Sequence, residues 1–298
     1  MSFIPQRFRK AIQLHLLNNY SASVNMSTPL ILGIDGYPGD GKTFQCNEVL
    51  GELECNIVSL SASDFGSIYE SNAANYIIEN YREAATKPMP VLVLNDLDTA
   101  IGNWGSLTQY TANRQFVLNE IMHLCDFPEN PHDIPTKRVP IIMTGNDFKK
   151  IYAPLIRFGR MNHFEWIPTY EERFEIVSDM LFPLPALICK KVFDESEKYY
   201  INKQNISNKL IKKRDVNTQR HSRTFLPISF YSQLRMEIIN QYLSKNLDQF
   251  GWYQVHSRLS TMKNDLYDEI IEEISFNSNN VLDIAKQLID KFFLKSFV

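Results

Sequence analysis

Leu30-Ile31-Leu32-Gly33-Ile34-Asp35-Gly36-Tyr37-Pro38-Gly39-Asp40-Gly41-Lys42-Thr43 reads as a buried strand that runs straight into a phosphate-binding turn. Its first five residues are apolar or glycine with no polar face, the pattern of a short strand covered on both sides. Gly36 to Thr43 then satisfies G-x-x-x-x-G-K-[ST] at every position. Glycines let successive backbone N–H groups turn inward onto phosphate oxygens. The helix expected from Thr43 to about Leu53 adds the positive end of its dipole. Gly36, Pro38, Gly39, Asp40, Gly41, Lys42, Thr43 and Phe44 therefore form the candidate nucleotide-binding segment. In it Lys42 would reach the β- and γ-phosphates and the Thr43 hydroxyl would hold Mg²⁺. The implied ligands are a nucleoside triphosphate, ATP above all, and Mg²⁺.

Binding a phosphate is not hydrolysing it, and the rest of that chemistry must come from other strand ends. Val91-Leu92-Val93-Leu94 is a further buried strand, ending in Asn95-Asp96-Leu97-Asp98. A hydrolytic site usually carries Asp then Glu here, one for Mg²⁺ and one for water. This chain has Asn95 and Asp96 instead, and neighbouring strand residues point to opposite sides, so Asp96 does not inherit the Asn95 position. Asp96 is expected to be the key carboxylate, polarising water or supporting Mg²⁺, with Asp98 close by. The next strand, Val139 to Met143, ends in Thr144-Gly145-Asn146-Asp147, and Asn146 would touch the γ-phosphate or the attacking water. Arg157 and Arg160 flank Phe158-Gly159 on a short loop. In a ring they could act as arginine fingers on a neighbour's site, an effect worth about 10³–10⁵ in rate.

The remaining pattern supports an α/β class. Asn56 to Leu60 and Phe164 to Ile167 read as strands, and residues 73–86 and Thr111 to Cys125 as helices. Strands alternating with helices imply a parallel sheet wrapped by helices, with ligands at the ends of the strands. Residues 1–20 read as an amphipathic helix and 21–29 as a polar linker. After Pro168 the pattern becomes helical, with Glu171 to Leu181, Phe230 to Leu243 and Val281 to Phe293 the strongest segments. Glu195 to Arg223 is polar and rich in Asn, Lys and Arg, and is expected to be a flexible loop or extended excursion. The expected domains are 1–28, an N-terminal helix and linker; 29–169, the nucleotide-binding domain; and 170–298, a small helical lid with a polar basic insertion near 195–224.

Bulk properties exclude several classes. In 298 residues, 44% are hydrophobic and 22% charged, as in ordinary globular proteins. The formal net charge of -3 does not favour nucleic acid or an anionic membrane as main partner. Lys209, Lys212, Lys213, Arg214, Arg220 and Arg223 form one basic stretch, but it lacks the interleaved aromatics of single-strand binders. Cys46, Cys55, Cys125 and Cys189 form no C-x-x-C pair, and neither they nor the six histidines have metal-ligand spacing. Reduced thiols in a cytoplasmic setting are expected. The N-terminus has no signal-peptide h-region, and no run approaches the roughly 18 apolar residues of a membrane span.

The order of P-loop, Asn95-Asp96-Leu97-Asp98, Thr144-Gly145-Asn146-Asp147, Arg157-Phe158-Gly159-Arg160 and a helical domain resembles the AAA+ layout. Within it, Tyr81-Arg82-Glu83-Ala84-Ala85, Thr108-Gln109-Tyr110-Thr111, Arg138-Val139-Pro140-Ile141-Ile142 and Tyr152-Ala153-Pro154-Leu155-Ile156-Arg157 look like Rubisco activase segments. Residues 30 to 180 carry most of the likeness, and Phe230-Tyr231-Ser232-Gln233-Leu234-Arg235 extends it. Asn at position 95 is itself a feature of that family.

The resemblance implies a hexameric ring that uses ATP hydrolysis to strip inhibitory sugar phosphates from Rubisco by pulling its chain through a central pore. It makes Asn146 the sensor-1 residue, Arg157 and Arg160 arginine fingers, and Arg235 the sensor-2 arginine. Phe65 and Tyr69 fall where a first pore loop would lie, and Trp104 where a second would. The stroma or a carboxysome then joins the cytoplasm as a setting. Departures include a short region before the P-loop, Glu237 where a second arginine often stands, and the basic stretch as an apparent insertion. A small-subunit-like C-terminal module, which some cyanobacterial relatives carry, is not expected. Three other readings stay open: a remodeller of another protein, an ATP-dependent scaffold that barely turns over, and a nucleic-acid-associated ATPase using residues 209–223.

Overall fold

The structure is a computed structural model that describes residues 2–21, 28–61, 73–98, 112–211, 223–261, 266–273 and 278–295. Phe65, Tyr69 and Trp104, and the basic residues Lys212, Lys213, Arg214 and Arg220, lie outside the described residues. The chain divides into two compact units, Ile4–Ile167 and Met1–Phe3 with Pro168–Val298.

In the first unit the described elements are α1 (Gln6–Tyr20), β1 (Ile31–Asp35), α2 (Lys42–Glu52), β2 (Asn56–Ser61), α3 (Ala73–Ala85), β3 (Pro90–Asn95), α4 (Ala112–Asp126), β4 (Ile141–Thr144) and β5 (Met161–Glu165). Among the described residues the five strands form one parallel sheet in the order β2-β3-β4-β1-β5. The order reverses beside β1, so the turn after β1 opens at a crossover of the sheet, where such folds bind ligands. The last strand starts earlier than its apolar residues suggest. It pairs with β1 from Met161, with Asn162 and His163 exposed, because an edge strand needs only one covered face.

The central strands are apolar throughout because both faces are covered. Ile31, Leu92, Leu94, Ile141 and Met143 pack with Ile77, Tyr81, Val117 and Ile121 of α3 and α4 in one core. The alternate residues Leu32, Ile34, Val91, Val93 and Ile142 are buried as well. Helix α1 belongs to this unit. It buries Phe8, Ile12 and Leu16, sets Phe8 edge-on against Trp166 at 4.9 Å between centroids, and contacts α2. Its His15 is buried and bonds the Ile141 carbonyl through Nε2 at 3.1 Å.

The second unit is helical among its described residues: α5 (Tyr170–Met180), α6 (Ala186–Ile211), α7 (Ile228–Thr261), α8 (Leu266–Glu273) and α9 (Ser278–Lys295). Thr169 and Glu172 close α5 with a reciprocal capping box. The expectation of a loop from Glu195 is corrected: α6 continues unbroken to Ile211. Val192, Phe193, Ser196, Glu197 and Tyr200 recur at helical spacing on its buried side, and Glu197 pairs with buried Arg173 at 2.7 Å. A polar sequence hid that face because two of its members are themselves polar. Helix α7 also extends beyond Leu243, through Gly251, where the backbone breaks at φ 73 and ψ 167.

Candidate functional site

The turn Gly36 to Gly41 leads from β1 into α2, and each of its unusual conformations falls on glycine. Gly41 is the left-handed N-cap of α2 at φ 74, ψ 19. At Gly36 a Cβ would meet the carbonyl oxygen of Trp166 at 2.2 Å, so no side chain fits there. Trp166 closes the floor of the turn: its backbone N–H donates to Asp35 O at 2.6 Å and its Nε1 to Asp40 O at 3.0 Å. The loop is thereby fastened to the chain after β5.

Lys42 is the centre of the site. Its Nζ donates to Gly36 O at 2.9 Å, Tyr37 O at 3.0 Å and Asn146 Oδ1 at 2.9 Å. Burial pushes its ammonium below the ordinary lysine range, opposed by the carboxylates of Asp40, Asp96, Asp98 and Asp35. A buried ammonium of this kind is stabilised by an added anion. Three carbonyl-type oxygens now share a proton-rich group that a phosphate could draw outward.

The strand ends form a polar row beside it. Thr144 Oγ1, fully buried, donates to Asn95 Oδ1 at 3.2 Å, accepts from Asp96 N at 3.4 Å and stands 3.5 Å from Thr43 Oγ1. Asn95 Nδ2 donates in turn to Ser59 Oγ at 2.9 Å. Asp96 has left the strand conformation, with φ 50, and is exposed, while Asp98 is buried beneath. Asp98 Oδ2 accepts from Asn146 N and Asp147 N at 3.0 Å each, so it holds the loop that carries Asn146. Lys42, Thr43, Asn95 and Asn146 thus come together, with Asp96 beside them.

Other expected residues lie apart. Phe44 is exposed on the first turn of α2. Arg157 is exposed, whereas Arg160 is forked onto Asp126, with Nε to Oδ1 at 3.0 Å and Nη2 to Oδ2 at 2.6 Å. Arg235 belongs to the helical unit, where it lies over the Tyr267 ring at 4.5 Å and its Nη1 donates to Met180 O at 3.3 Å. Sequence reasoning missed Thr144 as a hub, Asp98 as a loop anchor, Trp166, and the contact of Asp35 Oδ1 with His163 Nε2 at 2.6 Å. A polar residue ending an otherwise apolar strand was the available signal for Thr144.

The donor set fits a magnesium nucleotide. The glycine cradle, the N-terminus of α2 and Lys42 suit phosphates, and the Thr43 hydroxyl and the exposed Asp96 carboxylate are each oxygen donors of the kind a hard cation prefers. Among the described residues no cluster of His, Cys, Asp or Glu has the makings of a separate metal site. None of the described helices is long and apolar enough to cross a membrane. The four cysteines are free thiols, and burial pushes the Cys46 thiol up to about 12.

A parallel sheet with this turn and this row of strand ends defines a P-loop ATPase, and residues 32–169 match the family model AAA, the ATPases associated with various cellular activities. The chain is similar to the chloroplastic ribulose bisphosphate carboxylase/oxygenase activase of Arabidopsis thaliana, 34% identical over 268 residues, covering 86% of this chain and 51% of that protein. Against activase B of Hordeum vulgare the identity is 32% over 310 residues, covering 93% of this chain and 69% of the relative. The activase of Cucumis sativus is 40% identical over 185 residues, covering 58% of this chain and 45% of the relative. The chain belongs to the Rubisco activase family of AAA ATPases. It spans about half to two thirds of the length of these relatives.

Proposed function

We propose that the chain hydrolyses ATP at a site completed by a neighbouring copy in a hexameric ring, and uses the turnover to remodel Rubisco and release inhibitory sugar phosphates. The observation that best supports this is the 2.9 Å bond between Lys42 Nζ and Asn146 Oδ1, which couples the phosphate loop to the end of β4. When Lys42 turns from the Gly36 and Tyr37 carbonyls to phosphate oxygens, Asn146 loses its partner and can orient the attacking water. Asp96 polarises that water, and Asn95 keeps its place through Thr144 and Ser59. Mg²⁺, held by Thr43 and Asp96, would neutralise charge on the phosphates. Arg157 reaches the γ-phosphate of the next subunit, and Arg235 serves as the sensor-2 arginine. Phe65, Tyr69 and Trp104 remain the proposed client-gripping residues. The chloroplastic relatives support a stromal setting, with the cytoplasm as the alternative.

The test supplies inhibited Rubisco from the same source with Mg-ATP and the full chain, and follows carboxylation. Recovery that Lys42→Ala abolishes is expected. ATP consumption without recovery would remove Rubisco as client, and no ATP consumption at all would remove the enzyme reading.

A further inference from the structure

We infer that Arg160 is a positioning residue that aims Arg157 at the neighbour's site, and is not itself delivered there. This rests on the reading that Arg157 acts between subunits. The resemblance gives both arginines one role, but their surroundings separate them. A finger must present its guanidinium to another molecule. Arg160 has engaged three nitrogens inside its own unit: Nε and Nη2 grip the two Asp126 oxygens, and Nη1 donates to Pro154 O at 3.0 Å. Its side chain is 12% exposed. A two-point fork of this kind fixes direction as well as distance.

The fork also closes the loop on itself. Pro154 lies at the start of the segment and Arg160 at its end, and Asp126 is the last residue of α4. The backbone adds two ties. Arg160 N donates to Arg157 O at 3.2 Å, and Arg160 O accepts from Ile31 N at 3.1 Å, at the first residue of β1. The loop is therefore hung from the strand that carries the phosphate turn. Between these anchors Arg157 is exposed, and among the described residues its side chain has no hydrogen bond or ion pair. Phe158 beside it is 100% exposed, and Gly159 turns the chain at φ +91. Sending Arg160 across would give up its bonds to the Asp126 carboxylate and the Pro154 carbonyl, whereas sending the Arg157 side chain across breaks no hydrogen bond or ion pair among the described residues.

Steady-state ATPase kinetics of the full chain separate the roles. Arg157→Ala should lower kcat by about 10³-fold or more. Asp126→Ala, which leaves Arg160 in place, should lower kcat as Arg160→Ala does, by on the order of 10²-fold for a misaimed group. Both should leave KM for ATP unchanged, and the double variant should be no slower than either single one. Arg160→Lys keeps the charge but loses the fork, so it should share the defect without a lower unfolding midpoint, while Asp126→Glu recovers most of the rate. Wild-type kcat in Asp126→Ala, with Arg160→Ala as slow as Arg157→Ala, would overturn the inference alone. Wild-type kcat in Arg157→Ala would instead remove the between-subunit reading, and the inference with it.

Discussion

Lowering the pH should destabilise the α/β unit through one buried side chain, His15 of α1. Burial holds its imidazole neutral and lowers its pKa from 6.5 to about 4, with the positive charge of Arg138 acting the same way and the bond to the Ile141 carbonyl opposing. Nε2 donates to that carbonyl, and Nδ1 faces the Asn19 amide at 3.4 Å, so the network assigns the proton to Nε2. The folded pKa lies below the unfolded one. The stabilisation is therefore complete above pH 6.5 and is lost as pH falls from 6.5 toward about 4. Between about pH 7.5 and about pH 5, integrating the proton uptake gives about 2 kcal/mol. The assay is urea unfolding of the full chain at both pH values, followed by intrinsic fluorescence, for the native chain and for His15→Gln. Glutamine keeps a donor for Ile141 O but cannot titrate. The native chain should lose about 2 kcal/mol more than the variant across that interval. Equal losses in the two proteins would refute the reasoning, because they differ at His15 alone.

Gly36→Ala should abolish nucleotide binding, measured by fluorescent ATP-analogue titration, because the added Cβ meets Trp166 O at 2.2 Å. Thr144→Val should cut kcat by about 10²-fold while ATP still binds, since it removes the hydroxyl that joins Asn95, Asp96 and Thr43. Glu197→Ala should destabilise the chain by about 3–5 kcal/mol in denaturant unfolding, because it removes one half of a buried ion pair, the carboxylate that Arg173 Nη2 binds at 2.7 Å.

The phosphate turn was the most legible part of the molecule because its chemistry demands glycines and one lysine at fixed spacing, and nothing distant alters that demand. The apolar strands were legible for a related reason: a sheet covered on both faces leaves no polar positions to confuse the pattern. Legibility failed where polar residues do structural work. Glu197 and Ser196 lie on the buried side of α6, so their helix read as a loop. Asp98 read as a neighbour of Asp96, yet it is buried as the anchor of the Asn146 loop, since its partners are backbone N–H groups that no sequence pattern marks. Arg160 and Asp126 stand 34 positions apart, and their pairing follows from the packing of α4 beside the loop after β4 rather than from either local motif.

A mixing experiment addresses the shared site most directly. Lys42→Ala lacks a working phosphate turn but keeps Arg157, and Arg157→Ala keeps the turn but lacks the arginine. Each alone should be nearly inactive in ATP hydrolysis. Mixed and co-assembled, they form some interfaces in which an intact turn faces an intact arginine, so ATPase activity should reappear. A mixture that co-assembles, as judged by capture through a tag on one variant, yet stays as inactive as its parents would contradict a site built between subunits.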